Sequence, residues 1–353
     1  MNNFETNHTL VVSDARNMDF IADESVDLIV TSPPYPMIQM WDTLFSSLSS
    51  EISEALHQKD GNCAFNLMHE ELDKVWSELY RILKPGSFAC INIGDATRKI
   101  EKKFKLYTNH SRIISSLNAI GFDSLPAILW RKQTNAPNKF MGSGMLPSGA
   151  YVTLEHEYIL IFRKGNKKEF KTEAQKKRRM ESAFFWEERN IWFSDIWDFK
   201  GIRQKINHKN LRDRSAAFPF ELAFRLVNMY SLYDDVVLDP FAGIGTTLSA
   251  CIACCRNSIG IDIDKEFISF IKLQAAEFLH QANTIISDRI NSHHEFIKKR
   301  IRENRSLKYK NNPHGFKVMT KQETEIQLRK IISIKESELN EIAVFYKNWS
   351  NEI

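Results

Sequence analysis

The sequence predicts a mostly parallel α/β sheet, and three observations carry that expectation. Short apolar runs alternate with amphipathic stretches between residues 10 and 120, and again between 219 and 262. A glycine loop, "PFAGIGTT" at Pro240–Thr247, follows one apolar run and opens a helical pattern. A carboxylate, Asp262, closes the next apolar run, 19 residues beyond Gly243 (262 − 243).

The elements follow in order. Leu10–Val12 reads as a short strand, and "SDARNM" as a turn into a helix start. Val26–Thr31 is a second, buried strand. Residues 43–58 and 64–83 carry helical spacing, with Phe65, Leu72, Val75, Leu79 and Leu83 on one face, and "KPG" at Lys84–Gly86 stops the second helix. Phe88–Ile93 is a strand ending in "GD", and 108–120 a helix closed by Gly121. Residues 131–150 are rich in Gly, Pro, Asn and Lys and read as a long loop before the strand "EHEYILIFRKG". The polar stretch 166–190 contains the run Lys176–Arg179, and 200–214 is again basic and unpatterned. The alternation resumes with a helix at 219–230, a strand at Val236–Asp239, a helix at 247–255 and a strand at Ser258–Asp262. From Asp264 the chain is helix-compatible, so 276–353 reads as a helical extension, with a basic run at Lys298–Lys310.

Composition bounds the function. The chain has 353 residues, 43% hydrophobic and 26% charged, which is globular. A formal net charge of +4 is too small to prove a nucleic-acid partner by itself. The N-terminus lacks the basic and apolar regions of a signal peptide. No apolar run approaches the ~20 residues of a membrane span. The expectation is a soluble, cytoplasmic protein with no membrane partner. Of five cysteines, Cys251, Cys254 and Cys255 cluster in a helix. They lack a second ligand pair, so buried thiols are expected and no metal site.

The glycine loop is the most informative stretch. A strand ends in Asp239, Gly243 and Gly245 follow, and Thr246 and Thr247 open a helix whose N–H groups suit an anion. The third glycine of the dinucleotide fingerprint is absent, Leu248 standing there, and no phosphate-binding lysine follows. The loop therefore suits a carboxylate better than a pyrophosphate. An acid about 20 residues on, here Asp262, is placed for ribose hydroxyls. Ribose and a carboxylate without phosphate point to S-adenosylmethionine.

A second motif stands after the Val26–Thr31 strand: Thr31-Ser32-Pro33-Pro34-Tyr35-Pro36. Prolines fix φ and carry no N–H, so this turn is stiff and presents carbonyl oxygens. With Phe241-Ala242-Gly243-Ile244-Gly245 it makes the chain resemble the amino-group DNA methyltransferases, of the permuted beta class in which the catalytic motif precedes the cofactor motif. The resemblance covers roughly residues 8–275. It implies a Rossmann-like sheet and S-adenosyl-L-methionine as cofactor. It also implies a catalytic half at 1–130, a target-recognition region at 131–215, a cofactor half at 216–275 and the helical extension at 276–353. Ser32, Pro33, Pro34 and Tyr35 would be catalytic. Asp14 and Ala15 of "SDA" would meet the cofactor adenine, and Phe218 and Pro219 its methionine end. Thr31, Asp239, Pro240, Phe241, Ala242, Gly243, Gly245, Thr246, Thr247 and Asp262 would complete the cofactor site. "EHEYILIFRKG" and "FSDIWDF" also resemble family stretches.

The chemistry explains the motif. An exocyclic amine on a nucleobase is a poor nucleophile and must be flipped from the duplex to be reached. Acceptors at Ser32 Oγ and the Pro33 carbonyl, held by the prolines, would draw its nitrogen toward sp³ geometry by preorganisation. Tyr35 would stack on the flipped ring. Carbon-5 methylation needs a Pro-Cys nucleophile, and none of the ten prolines precedes a cysteine. In the resembled family Ser at position 32 usually marks cytosine N4, and Asp or Asn adenine N6. The expected activity is thus site-specific cytosine-N4 methylation of double-stranded DNA within a restriction–modification system. A separate cognate endonuclease would share the site, and the enzyme would be a monomer or dimer. The alternatives are an adenine-N6 enzyme, one acting on RNA or a protein amide, and an idle methyltransferase-like DNA-binding module. DNA contacts are expected from Lys176–Arg179, Lys200–Arg214 and the loop Asn138–Gly149 on one cleft face, with the C-terminal basic helix on DNA, at a dimer contact or solvated. Asp95 would line the site or cap a helix, and Trp41 and Asp42 would belong to a flap.

Overall fold

Every residue of the VDLIVT run is buried, which demands cover on both faces of its sheet. The computed structural model describes residues 4–132, 141–200, 217–305, 307–337 and 340–350, and supplies that cover. The strands are β1 (Phe4–Val12), β2 (Val26–Thr31), β3 (Leu83–Ile93), β4 (Ala96–Ile100), β5 (Lys103–Tyr107), β6 (Phe122–Arg131), β7 (Met141–Gly142) and β8 (Ala150–Tyr151). After them come β9 (His156–Lys164), β10 (Ile196–Asp198), β11 (Val236–Asp239), β12 (Asn257–Asp262), β13 (Tyr309–Lys310), β14 (Lys317–Val318), β15 (Arg329–Glu336) and β16 (Glu341–Asn348). The α-helices are α1 (Asp42–Leu48), α2 (Ser50–His57), α3 (Gly61–Ile82), α4 (Asn109–Ile120), α5 (Glu173–Glu181), α6 (Trp186–Trp192), α7 (Phe220–Tyr230), α8 (Thr246–Cys254) and α9 (Lys265–Arg302).

One ten-stranded sheet runs β10-β6-β9-β3-β2-β11-β12-β1-β16-β15. Its centre, β3 through β1, is parallel. β9 and β16 flank that centre antiparallel. Side chains alternate between two cores. Leu28, Val30, Cys90, Ile159 and Ile161 face α7 and α8, while Ile29, Ala89, Ile91, Leu160 and Phe162 face α3 and α4. β2 and β11 are neighbours, yet the chain leaves β2 toward β3 and leaves β11 toward β12. That reversal opens a crevice at their carboxyl ends, where open sheets bind ligands. The Ser32 turn and the glycine loop are the two segments that flank it.

The 43–58 helix is two helices, because Ser49 is extended and its side chain accepts from Glu51 N to cap α2. The expected C-terminal helix is present as α9 but ends at Arg302. Beyond it, "RKIISIKE" and "EIAVFYKN" alternate buried and exposed positions and form a hairpin that extends the sheet past β1. Asn283 of α9 holds that hairpin, donating to Ile331 O at 2.9 Å and accepting from Ile331 N at 2.8 Å. The periodicity of β15 and β16 is 2, and their charged ends mask it in a helix-compatible composition. The 131–150 loop contains the short β7–β8 pairing.

The 131–215 region divides between the two edges of the sheet. β6 ends and β9 begins at the carboxyl edge. α5 and α6 follow β9 and lie at the amino edge, where Arg178 pairs with Asp235 at the start of β11. Lys176–Arg179 therefore does not share the cleft face. The basic end of α9 is also there, with Arg300 over the Trp186 ring of α6. Residues 201–214 of the Lys200–Arg214 run and Asn138–Phe140 of the loop lie outside the described residues.

Candidate active site at the carboxyl edge of the sheet

Asp239 ends β11 and is the joint between the two motifs. Its carboxylate accepts from Thr31 Oγ1 and Thr247 Oγ1, each at 2.7 Å, and from Phe241 N at 3.1 Å. Burial pushes its pKa up to about 6, against the pull of those hydrogen bonds. Among the described residues no lysine or arginine pairs with it. Thr31 and Thr247 stand behind this carboxylate.

The glycine loop approaches the crevice through left-handed backbone. Gly243 has φ +50° and Gly245 φ +80°. A Cβ at Gly245 would sit 2.8 Å from Ile271 Cγ1, so helix α9 closes that side. A Cβ at Gly243 would meet nothing nearer than Phe241 O at 3.9 Å, so a ligand can press against that backbone. Asp262 fixes the loop from β12, accepting from Gly243 N and Asp264 N, both at 2.9 Å. Gly245 is the N-cap of α8 and offers no side-chain cap, so the first N–H groups of α8 need an outside partner.

A cavity of about 530 Å³ lies between these segments. Asp14, Ala15, Ser32, Pro33, Pro34, Phe218, Asp239, Pro240, Phe241, Ala242, Gly243, Thr246 and Asp262 all line it. Thr31, Thr247, Pro219 and Gly245 do not: the first two fix Asp239, Pro219 is the N-cap of α7, and Gly245 packs on Ile271. Tyr35 also lies off the cavity wall. The lining includes Trp41, expected in a flap, and Arg16, Glu71 and Phe267, which sequence reading did not assign to a ligand. Arg16 clasps Asp14 through Nε and Nη2, and reaches Glu71 of α3. Burial raises Asp14 and Glu71, but hydrogen bonds, led by Arg16 for Asp14 and Lys74 for Glu71, hold both below the usual carboxylate range.

Beside the cavity, the turn after β2 is locked from several directions. Ser32 Oγ lies 3.1 Å from Asn92 O and 3.2 Å from Tyr35 Oη. One proton serves one of them, leaving its lone pairs open. Tyr35 Oη donates to Glu157 Oε2 at 3.0 Å and accepts from Asn92 Nδ2 at 2.8 Å. Asn92 Nδ2 also donates to Glu157 Oε2 at 2.7 Å, and Lys132 pairs with Glu157. Burial, then the Glu157 charge, pushes the Tyr35 phenol well above its usual range, so it stays a neutral donor. Gly94 leaves the space this needs, since a Cβ there would meet Tyr35 Cε2 at 2.9 Å. Asn109 of α4 donates to Pro36 O at 3.1 Å and Gly94 O at 2.9 Å, tying the turn to β3.

Asn92, Glu157 and Lys132 escaped sequence reading because they come from segments apart in the chain. Asp95 does not join the network. It accepts from His110 N at 3.1 Å in the first turn of α4, so it serves a helix end. Asp42 pairs with Arg98 of β4, accepting from Nη1 and Nη2, each at 2.7 Å.

Arranged this way, the crevice offers carboxylates, apolar rings and a bare glycine backbone to one small molecule, next to a rigid set of acceptors. The chain is similar to known proteins. A family model described as DNA methylase matches residues 26–273. The chain is 52% identical over 345 residues to the type II methyltransferase M.MthZI of Methanothermobacter thermautotrophicus, 97% of this chain and 96% of the relative. It is 51% identical over 278 residues to the type II methyltransferase M.MjaI of Methanocaldococcus jannaschii, 76% of this chain and 90% of that one. The structure of a putative DNA modification methylase from Thermus thermophilus, TTHA0409, complexed with S-adenosyl-L-methionine, covers 77% of this chain and 94% of its own at TM-score 0.59 and 31% identity. PvuII DNA methyltransferase (cytosine-N4-specific) shares the fold, with TM-score 0.56 at 16% identity over 77% of this chain and 87% of its own.

Proposed function

This chain belongs to the DNA methylase family, and we propose that it moves a methyl group from S-adenosyl-L-methionine to the N4 amine of a flipped cytosine in duplex DNA. The observation that carries the reading is the Asp239 clasp. It holds the Ser32 turn and the glycine loop on adjacent strand ends, around one cavity.

The cavity residues fit the cofactor by their chemistry. Asp262 and Asp14 would take hydroxyl and amine groups, Phe241 and Phe218 the apolar parts, and the N–H groups opening α8 a carboxylate. Asp239, buried and without a cation among the described residues, complements the positive charge of a sulfonium. The cofactor, when bound, supplies an electrophilic methyl. The protein's part is acceptor placement. Ser32 Oγ and the Pro33 carbonyl would accept from the target amine, and Asn92, Tyr35 and Glu157 would keep Ser32 from turning away. Because Glu157 is spent on Tyr35, Asn92 and Lys132, it fixes the turn instead of removing protons. A serine hydroxyl at position 32, in place of a carboxylate, supports cytosine as the base through the family resemblance. A type II restriction–modification setting is supported by the two relatives above half identity.

Ser32→Ala tests the role. Methyl transfer to duplex DNA should fall about a hundredfold or more while cofactor affinity stays within about twofold. Loss of cofactor binding with unchanged turnover of the bound form would contradict the assignment.

A further inference from the structure

The chain leaves β6 and returns to β9 beside the catalytic network. Lys132 N donates to Glu155 O at 2.7 Å, and Lys132 also pairs with Glu157. Between these anchors, β7 and β8 pair Met141 with Tyr151 and Gly142 with Ala150, and residues 143–149 turn the chain. The turn is closed on itself. Ser143 N donates to Gly149 O at 2.9 Å, Leu146 N to Ser143 O at 3.2 Å, and Ser143 Oγ to Leu146 O at 2.5 Å. Tyr151 stacks on Phe104 of β5 with centroids 4.9 Å apart and planes 17° apart. The finger is thereby fastened to the β4–β5 hairpin, whose Lys99, Lys102 and Lys103 are exposed.

The tip is apolar. Met145 is 81% exposed and Leu146 70%. Two large apolar side chains held in water by an ordered turn are a feature of surfaces that get covered. Their position names the cover: a finger rooted at the catalytic network, with lysines at its side, faces a polyanion whose base has been drawn out. Extruding a base breaks stacking and pairing at a few kcal/mol, and apolar side chains entering between base steps offset that loss.

We propose that Met145 and Leu146 form the wedge that enters the duplex in the space vacated by the target base. The proposal rests on the reading of this chain as a base-flipping DNA methyltransferase.

The test uses the full chain and two duplexes carrying the sequence at which the wild type places methyl groups. One is fully paired, and the other has an abasic site opposite the target. The double variant Met145→Ala, Leu146→Ala should lose about tenfold in kcat/KM on the paired duplex and stay within about twofold of wild type on the abasic one, where flipping needs no wedge. Its melting temperature and cofactor affinity should be unchanged, because both tip side chains are exposed and lie off the cavity wall. An equal loss on both duplexes, or no loss on either, overturns the wedge. So does a shift from dimer to monomer in sedimentation without the paired-duplex defect, which would make the tip a contact between copies. A wild type that methylates neither duplex overturns the underlying reading and the wedge together.

Discussion

Strand β11 has a buried aspartate at each end, and the two have different company. Asp235, at the amino end, is 3% exposed, paired with Arg178 of α5 and bonded by Leu232 N at 2.8 Å. Asp239, at the carboxyl end, is 4% exposed and bonded by two hydroxyls and one amide, with no cation among the described residues. The surrounding basic segments repeat the contrast. At the amino edge Lys168, Lys176 and Arg178 are matched by Asp27, Glu173 and Asp235. At the carboxyl edge, Lys99, Lys102 and Lys103 of the β4–β5 turn have no acidic partner among the described residues. Those three amino-edge cations are neutralised in place. The β4–β5 lysines face solvent and Asp239 faces the cavity without such partners among the described residues, which is how a surface awaiting a charged ligand looks.

The sharpest way to break this contrast is in the catalytic turn. Tyr35→Ala should lower turnover by about 10²–10³ with cofactor affinity little changed, since Tyr35 lies off the cavity but holds Ser32 and Glu157. Equal loss of cofactor binding in calorimetry would show that the turn and the glycine loop are not separate parts.

The next effect concerns the lysines. Changing Lys99, Lys102 and Lys103 to Glu should weaken duplex binding by about tenfold or more at moderate salt. It should also flatten the log–log salt slope by roughly one unit for each phosphate no longer neutralised. The same change at Lys176 and Lys177 should leave the slope as it was. If the α5 variant flattened the slope instead, the two edges would have exchanged roles.

The charge of Asp239 can be tested by pH, although burial raises Asp235 as well. Asp239 has a folded pKa of about 6, above the ordinary 3.8, so the proton stabilises the folded form. That contribution is whole below about pH 4 and is lost as pH rises through about 6. Asp239→Asn removes it, so the wild type should lose of order 2 kcal/mol relative to the variant between pH 4 and 7, as read by urea denaturation. Addition of S-adenosyl-L-methionine should shrink the gap, the cation favouring the carboxylate. A gap independent of both pH and cofactor would place Asp239 outside the charge argument.

The smallest effect belongs to Arg178→Ala. It leaves Asp235 buried without its partner, and because Arg178 is itself 39% exposed the cost should be about 1–2 kcal/mol of stability. DNA affinity of the folded fraction should not move. A DNA-binding defect without a stability loss would return α5 to the binding face.

The contrast also marks what the sequence could disclose. β2, β11 and β12 were legible because buried parallel strands are continuous apolar runs, and both motifs sit where such runs stop. The cavity wall from Ser32 to Pro34 and from Asp239 to Gly243 was legible for the same reason. Thr31 and Thr247 were legible as motif positions but not in their duty, which depends on how two strands pair. Asn92, Glu157, Lys132 and Arg16 were hidden, because polar residues inside apolar or basic stretches reveal no partner without the topology. Lys176–Arg179 misled, because a basic run looks the same on either edge of a sheet. The β15–β16 hairpin was lost under its charged ends.

The central claim is that the carboxyl edge methylates the N4 amine of cytosine. The most direct measurement incubates the protein with duplex DNA of mixed sequence and methyl-labelled S-adenosyl-L-methionine, digests the DNA to nucleosides and resolves them by mass spectrometry. The account predicts labelled N4-methylcytosine, lost with Ser32→Ala. Labelled N6-methyladenine would contradict the choice of base, and no labelled nucleoside in the presence of intact cofactor binding would contradict the account as a whole.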